Sequence, residues 1–181
     1  MSRLSGGRKA ALVVSGVATV LFTVVPYLVI EKRLHATGGP GVLAFEFAGS
    51  RARAAQIMTE WGATGRHWAR VSLLVDYGYM ISYGTFFALA GFAVRDAARA
   101  RGWRRLASAG VVVPFFAIAA AVFDAAENVA LLVTLAGNGG SFAPPFATAC
   151  STAKFTLITI AILYAICGTA MAASERLRAA P

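Results

Sequence analysis

Residues 108–135 read SAGVVVPFFAIAAAVFDAAENVALLVTL. The stretch has no Lys or Arg, and as a helix it is long enough to cross about 30 Å of hydrocarbon. Two acids and an amide interrupt it: Asp124, Glu127 and Asn128. With Leu131 they are spaced i, i+3, i+4, i+7, so the polar three share one helix face. A charge at the centre of a lone span costs about 2.5–3.5 kcal/mol on insertion scales. That face must therefore look into a protein interior, pair, or neutralise. This one segment implies a membrane helix with partners.

The partners are in the sequence. Apolar runs of spanning length cover roughly residues 10–30, 71–94 and 148–173 in addition to 108–135. The chain is 58% hydrophobic and 14% charged, against about 25% charged in ordinary soluble domains. Four spans leave too few of the 181 residues for a separate soluble domain. We expect an all-α integral membrane protein, a single four-transmembrane-helix bundle over residues 1–181. The basic start at Arg3, Arg8 and Lys9 could open a signal peptide. The apolar run exceeds a signal h-region, and Glu31, Lys32 and Arg33 follow without a small-x-small cleavage site. A retained anchor is expected.

Arg95, Arg99, Arg101, Arg104 and Arg105 crowd the short connection between the second and third spans, and Arg176 and Arg178 follow the fourth. The basic residues of 31–69 are spread out and mixed with Glu31, Glu46 and Glu60. The positive-inside rule then puts both termini in the cytoplasm of a plasma (inner) membrane protein. The net charge of +9 is explained by this loop bias and by anionic lipid, so no nucleic acid is expected.

In the first external loop, Gly38, Gly39, Pro40 and Gly41 are turn residues, and Val42–Phe47 alternates as a short extended piece. Ser50 reads as an N-cap. Ala54, Ile57, Met58 and Trp61 follow at helical spacing and Gly62 stops them, predicting an amphipathic helix over the bundle. The second external loop, Gly137–Phe146, reads as a turn containing Pro144 and Pro145.

Four ionisable groups fall inside spans: Asp76, Asp124, Glu127 and Lys154. At about 1.5 Å per residue, Asp76, Glu127 and Lys154 reach about 9–12 Å below the outer interface, and Asp124 about 16 Å. Three helices thus bring opposite charges to one level. Asp76, Tyr79 and Tyr83 form a stripe on the second span, and Ser151 shares a face with Lys154 on the fourth. Pro26 and Tyr27 reach a similar depth, where Pro26 frees a backbone carbonyl. We expect one outer-leaflet pocket built from Asp76, Tyr79, Tyr83, Asp124, Glu127, Asn128, Ser151 and Lys154. Three carboxylates for one lysine exceed the needs of a helix clamp. The excess implies a stored proton, or a bound cation or cationic ligand.

Other chemistry is thin. Cys150 and Cys167 are too far apart on one helix to bond. No CxxC, HExxH or Cys/His cluster is present, so no metal site is expected. No intramembrane histidine pair could hold haem, so no cofactor is expected. His35 and His67 read as solvated loop residues, and no Ser/His/Asp set forms an activated nucleophile. Tyr77 reads as a core or belt aromatic. Gly78, Gly84 and Gly91 read as sites of close helix packing.

The string AAQIMTEWGATGRHWARVSLLVDYGYMISY (residues 54–83), with Phe123–Asn128 and Ala153–Phe155, resembles an uncharacterised bacterial four-transmembrane family. Its pattern is W-G…D-Y…D-x-x-E-N…K-F. The resemblance spans most of the chain and implies the fold and the polar site, not a reaction. The four-span EXPERA proteins, sterol isomerases and their ligand-binding relatives, are similar only by analogy: carboxylates in a membrane pocket, with different motifs.

Four functions compete. The leading expectation is a binding protein or sensor for a small amphiphilic or lipid-like ligand in the membrane lipid. An enzyme with isomerase-like acid/base chemistry on a lipophilic substrate comes next. A proton-coupled small transporter, working as a homodimer, would need polar groups through the inner halves of the spans, and these hold only Ser, Thr and Tyr. An accessory subunit would use the cluster to lock the fold.

Overall fold

The computed structural model describes the backbone of residues 6–178 and the side chains of residues 6–175. Arg3 and the side chains of Arg176 and Arg178 lie outside it. Among the described residues the structure is mostly helix, without strands, and holds four helices long and apolar enough to cross a membrane. Side chains such as Val14, Val20, Ile81 and Val122 are more than 60% exposed. So much outward apolar surface on helices of this length suits a lipid solvent.

Helix α1 (Gly6–Pro26) continues through a π-helical turn at Tyr27–Glu31 into α2 (Lys32–His35). Pro26 has no N–H to close an α-helical bond, and the wider turn follows it directly. Helix α4 (Arg51–Ala100) runs back antiparallel to α1. Arg8 meets Asp96 at 3.6 Å, and Gly16 lies against Phe86 and Gly78 against Phe22. A short α5 (Arg104–Ala109) and a turn lead into α6 (Val113–Leu135), and α7 (Ala143–Arg178) completes the bundle. Gly84 lets α4 approach Ala121 of α6, where a Cβ would come within 3.1 Å of the alanine methyl. Helices α4, α6 and α7 form the interior, and α1 packs mainly on α4.

Several expected boundaries move. Val42–Glu46 is a short helix, α3, not an extended piece. Its alternation is too brief to separate strand from helix, and Phe45 is buried against Trp61 with ring centroids 5.1 Å apart. Ser50 caps α4, accepting a hydrogen bond from the Arg53 N–H at 3.2 Å. Ala54, Ile57 and Trp61 are buried as an apolar stripe. Gly62 kinks this helix, at φ 59° and ψ −162°, but does not end it. A non-glycine residue is strained there.

The second apolar helix thus begins well before residue 71. Trp61, Gly65, Ala69 and Leu73 carry one buried face through a stretch whose Arg66, His67 and Arg70 lower its hydropathy. The third span does not run unbroken from Ser108. Residues 110–112 are a turn, and Pro114 sits in the first turn of α6, where a missing N–H costs nothing. Pro144 and Pro145 likewise lie in the first turn of α7 rather than in the preceding loop.

Candidate functional site

Lys154 stands at the centre of the polar cluster. Its Nζ lies 2.8 Å from Asp124 Oδ1, 2.8 Å from Glu127 Oε2 and 3.3 Å from Glu46 Oε2. All four side chains are at least largely buried, Glu127 completely. Asp124 also accepts a hydrogen bond from the Tyr83 hydroxyl at 2.9 Å, so it ties α6 to both α4 and α7. Asn128 donates to the Leu73 carbonyl at 3.2 Å and to Asp76 Oδ2 at 2.9 Å. The i, i+3, i+4 spacing of Asp124, Glu127 and Asn128 is what lets one face of α6 make these contacts.

Glu46 is the member that sequence reasoning missed. Its place in the sequence groups it with the loop charges, yet α3 is pinned so that it points inward. The Val42 N–H donates to Glu31 Oε1 at 3.1 Å. The Trp61 indole N–H donates to the Pro40 carbonyl at 2.6 Å. Thr148 donates to the Glu46 carbonyl at 2.9 Å and accepts from the Gly49 N–H at 3.0 Å, fastening α3 to the start of α7. One signal was present: Glu46 is the sole charge in the apolar loop run GVLAFEFAG (residues 41–49), a run that needs burial.

The cluster borders a cleft of about 490 Å³ between α1, α4 and α7. Glu46, Asp76, Asp124 and Lys154 line its polar end. Tyr79, Tyr83 and Phe87 of α4, with Phe155, Ile158 and Ile162 of α7, form its body. The Tyr79 and Tyr83 rings pack at 5.0 Å, tilted by 59°. Helix α1 contributes Thr19 and Thr23 rather than the expected Pro26 and Tyr27. Tyr27 is 68% exposed and does not line the cleft.

The eight residues expected in the pocket therefore divide. Asp76, Tyr79, Tyr83, Asp124 and Lys154 line the cleft. Glu127 and Asn128 stand behind them, almost inaccessible. Ser151 is fully buried and donates to the Ala147 carbonyl of its own helix at 3.0 Å, so it does not join the polar network.

No family model, curated protein or solved structure matches the chain. What the site can do must come from its own chemistry. A groove of about 540 Å³ at the opposite, basic end is slightly larger. Its polar members, Arg99, Arg104 and Ser108, are exposed. The cleft beside Lys154, by contrast, combines an apolar body with buried charge.

Proposed function

We propose that the protein is a multi-pass membrane binding protein or sensor for a small amphiphilic or lipid-like ligand. The single observation that carries this reading is the cleft itself. Aromatic and aliphatic side chains form one part of its wall, and buried ionisable groups form one end. Such a shape takes a ligand with an apolar body and a polar head. Helix α1 flanks the cleft through Thr19 and Thr23 while packing chiefly on α4. The side between α1 and α7 then serves as the entrance from the lipid.

In this reading both termini are cytoplasmic and the cleft lies in the outer leaflet of the plasma membrane. The support is the cluster of arginines from Arg95 to Arg105 at the far end of the bundle. The segment from Ser50 to Trp61 then caps the external side. The W-G…D-Y…D-x-x-E-N…K-F pattern acquires a meaning as well. Of its charged members, Asp76, Asp124 and Lys154 line the cleft and Glu127 backs them, and Trp61 with Gly62 shapes the segment above it.

Acid/base catalysis on a lipophilic substrate is the second reading. It is favoured by Glu127 Oε1, a buried carboxylate oxygen that meets no hydrogen-bond donor. The test for both is native mass spectrometry of gently extracted protein. A retained small molecule, lost when the cleft is filled by Ile158→Trp, supports binding. A chemically altered molecule in the wild type, with its unaltered form in Glu127→Gln, supports turnover. A bare protein in every preparation contradicts both.

A further inference from the structure

The hydrogen-bonding state of the cleft specifies the head group of its ligand. Lys154 hydrogen-bonds to Asp124 and faces two further carboxylates within 3.3 Å. The Tyr83 hydroxyl proton goes to Asp124. The Asn128 amide, behind the wall, donates to Leu73 and Asp76. Thr19 and Thr23 donate to carbonyls of their own helix, at 2.8 Å each. Among the described residues, the Tyr79 and Thr159 hydroxyls are the cleft's only donor-bearing side chains without a side-chain hydrogen bond, and a hydroxyl accepts as readily as it donates.

Acceptors, by contrast, are in excess. Glu46, Asp76, Asp124 and Glu127 place four carboxylates around a single ammonium. Asp76 differs from the other three because it has no cationic partner among the described residues. Its Oδ2 accepts from Asn128, whereas no group donates to Oδ1, and the residue lines the cleft. A carboxylate or phosphate head entering here would meet like charge and few donors. A neutral alcohol would satisfy one acceptor and leave the charge uncompensated.

We propose that the ligand is a lipophilic amine whose ammonium is bound by Asp76, with the Tyr79–Tyr83 ring pair beside it. This rests on the ligand-binding reading above and deepens it. An ammonium supplies the missing donors and a positive charge together, and a charge-assisted hydrogen bond is about twice as strong as a neutral one. The aromatic faces add a cation–π contribution.

The test uses three probes of equal chain length: dodecylamine, dodecanol and dodecanoate. Each is isotope-labelled and equilibrated near neutral pH with the full chain in phosphatidylcholine nanodiscs, with uptake by empty nanodiscs subtracted. The amine should bind saturably and at least tenfold more tightly than either other probe. Asp76→Asn should abolish that preference while leaving any dodecanol binding in place. Alcohol or carboxylate binding as tight as the amine would overturn the proposal and leave the amphiphile reading standing. A preference for amine that survives in Asp76→Asn would also overturn it. No saturable binding of any probe would bring down both. The wild-type rank order decides even if the variant fails to fold.

Discussion

Asp124 and Asp76 project from facing helices into one polar cluster, yet their surroundings differ. Asp124 is 2% exposed, carries the Lys154 ammonium on one oxygen and the Tyr83 hydroxyl on the other. Asp76 is only partly buried and, among the described residues, holds a single side-chain partner, Asn128, and has no cation. The first joins three helices, and the second faces a cleft. A buried charge that is fully partnered holds a bundle together. One left half-partnered at a cavity is available for something that enters.

The largest effect should come from removing the shared cation. Lys154→Met strands Glu46, Asp124 and Glu127 around an apolar side chain. Breaking a buried pair in this way costs about 3–5 kcal/mol. The melting temperature in detergent should fall by roughly 6–20 °C for a chain of this size. A variant as stable as the wild type would remove the distinction between the two aspartates.

Tyr83→Phe should have a smaller effect on the same side of the comparison. It deletes one hydrogen bond to a charged acceptor, 2.9 Å long, a bond contributing about 1.5–3 kcal/mol. Asp124 keeps Lys154, so thermal unfolding should show a partial loss. A loss equal to that of Lys154→Met would mean that the tyrosine, not the lysine, organises the cluster.

Glu127→Gln sharpens the comparison further, with an expected stability change of zero or a slight gain. Glu127 shares its lysine with two other carboxylates, and its Oε1 has no donor. Neutralising a buried charge beyond the fold's needs does not destabilise it. A melting temperature several degrees lower would show that all three acids are required.

How much of this was legible in the sequence follows from the type of signal each feature carries. The meeting of Lys154 with Asp124 and Glu127 was readable, because a helix fixes depth and face from residue number alone. The four apolar helices were readable from hydropathy. Their ends were not: Pro144 and Pro145 look like loop residues but suit a first helical turn equally well, and the turn at residues 110–112 before Pro114 is hidden inside an unbroken apolar run. Glu46 escaped because a loop charge has no periodicity to betray its direction, which depends on Thr148 and Trp61 far along the chain. Thr19 and Thr23 escaped because threonine is too common in membrane helices to stand out. Ser151 was misplaced for a related reason: sharing a face with Lys154 does not prevent its hydroxyl from bonding to its own backbone.

The most direct test pairs two isosteric changes, Asp76→Asn and Asp124→Asn, each assayed for melting temperature in detergent and for retained small molecule by native mass spectrometry. Asp76→Asn should melt within about 1 kcal/mol of the wild type, the scale of one neutral hydrogen bond, and should lose the molecule. Asp124→Asn should be destabilised by about 3–5 kcal/mol, as expected for a broken buried pair. Equal destabilisation by both, with no molecule retained by the wild type, would make the whole cluster a helix clamp and contradict the division between them.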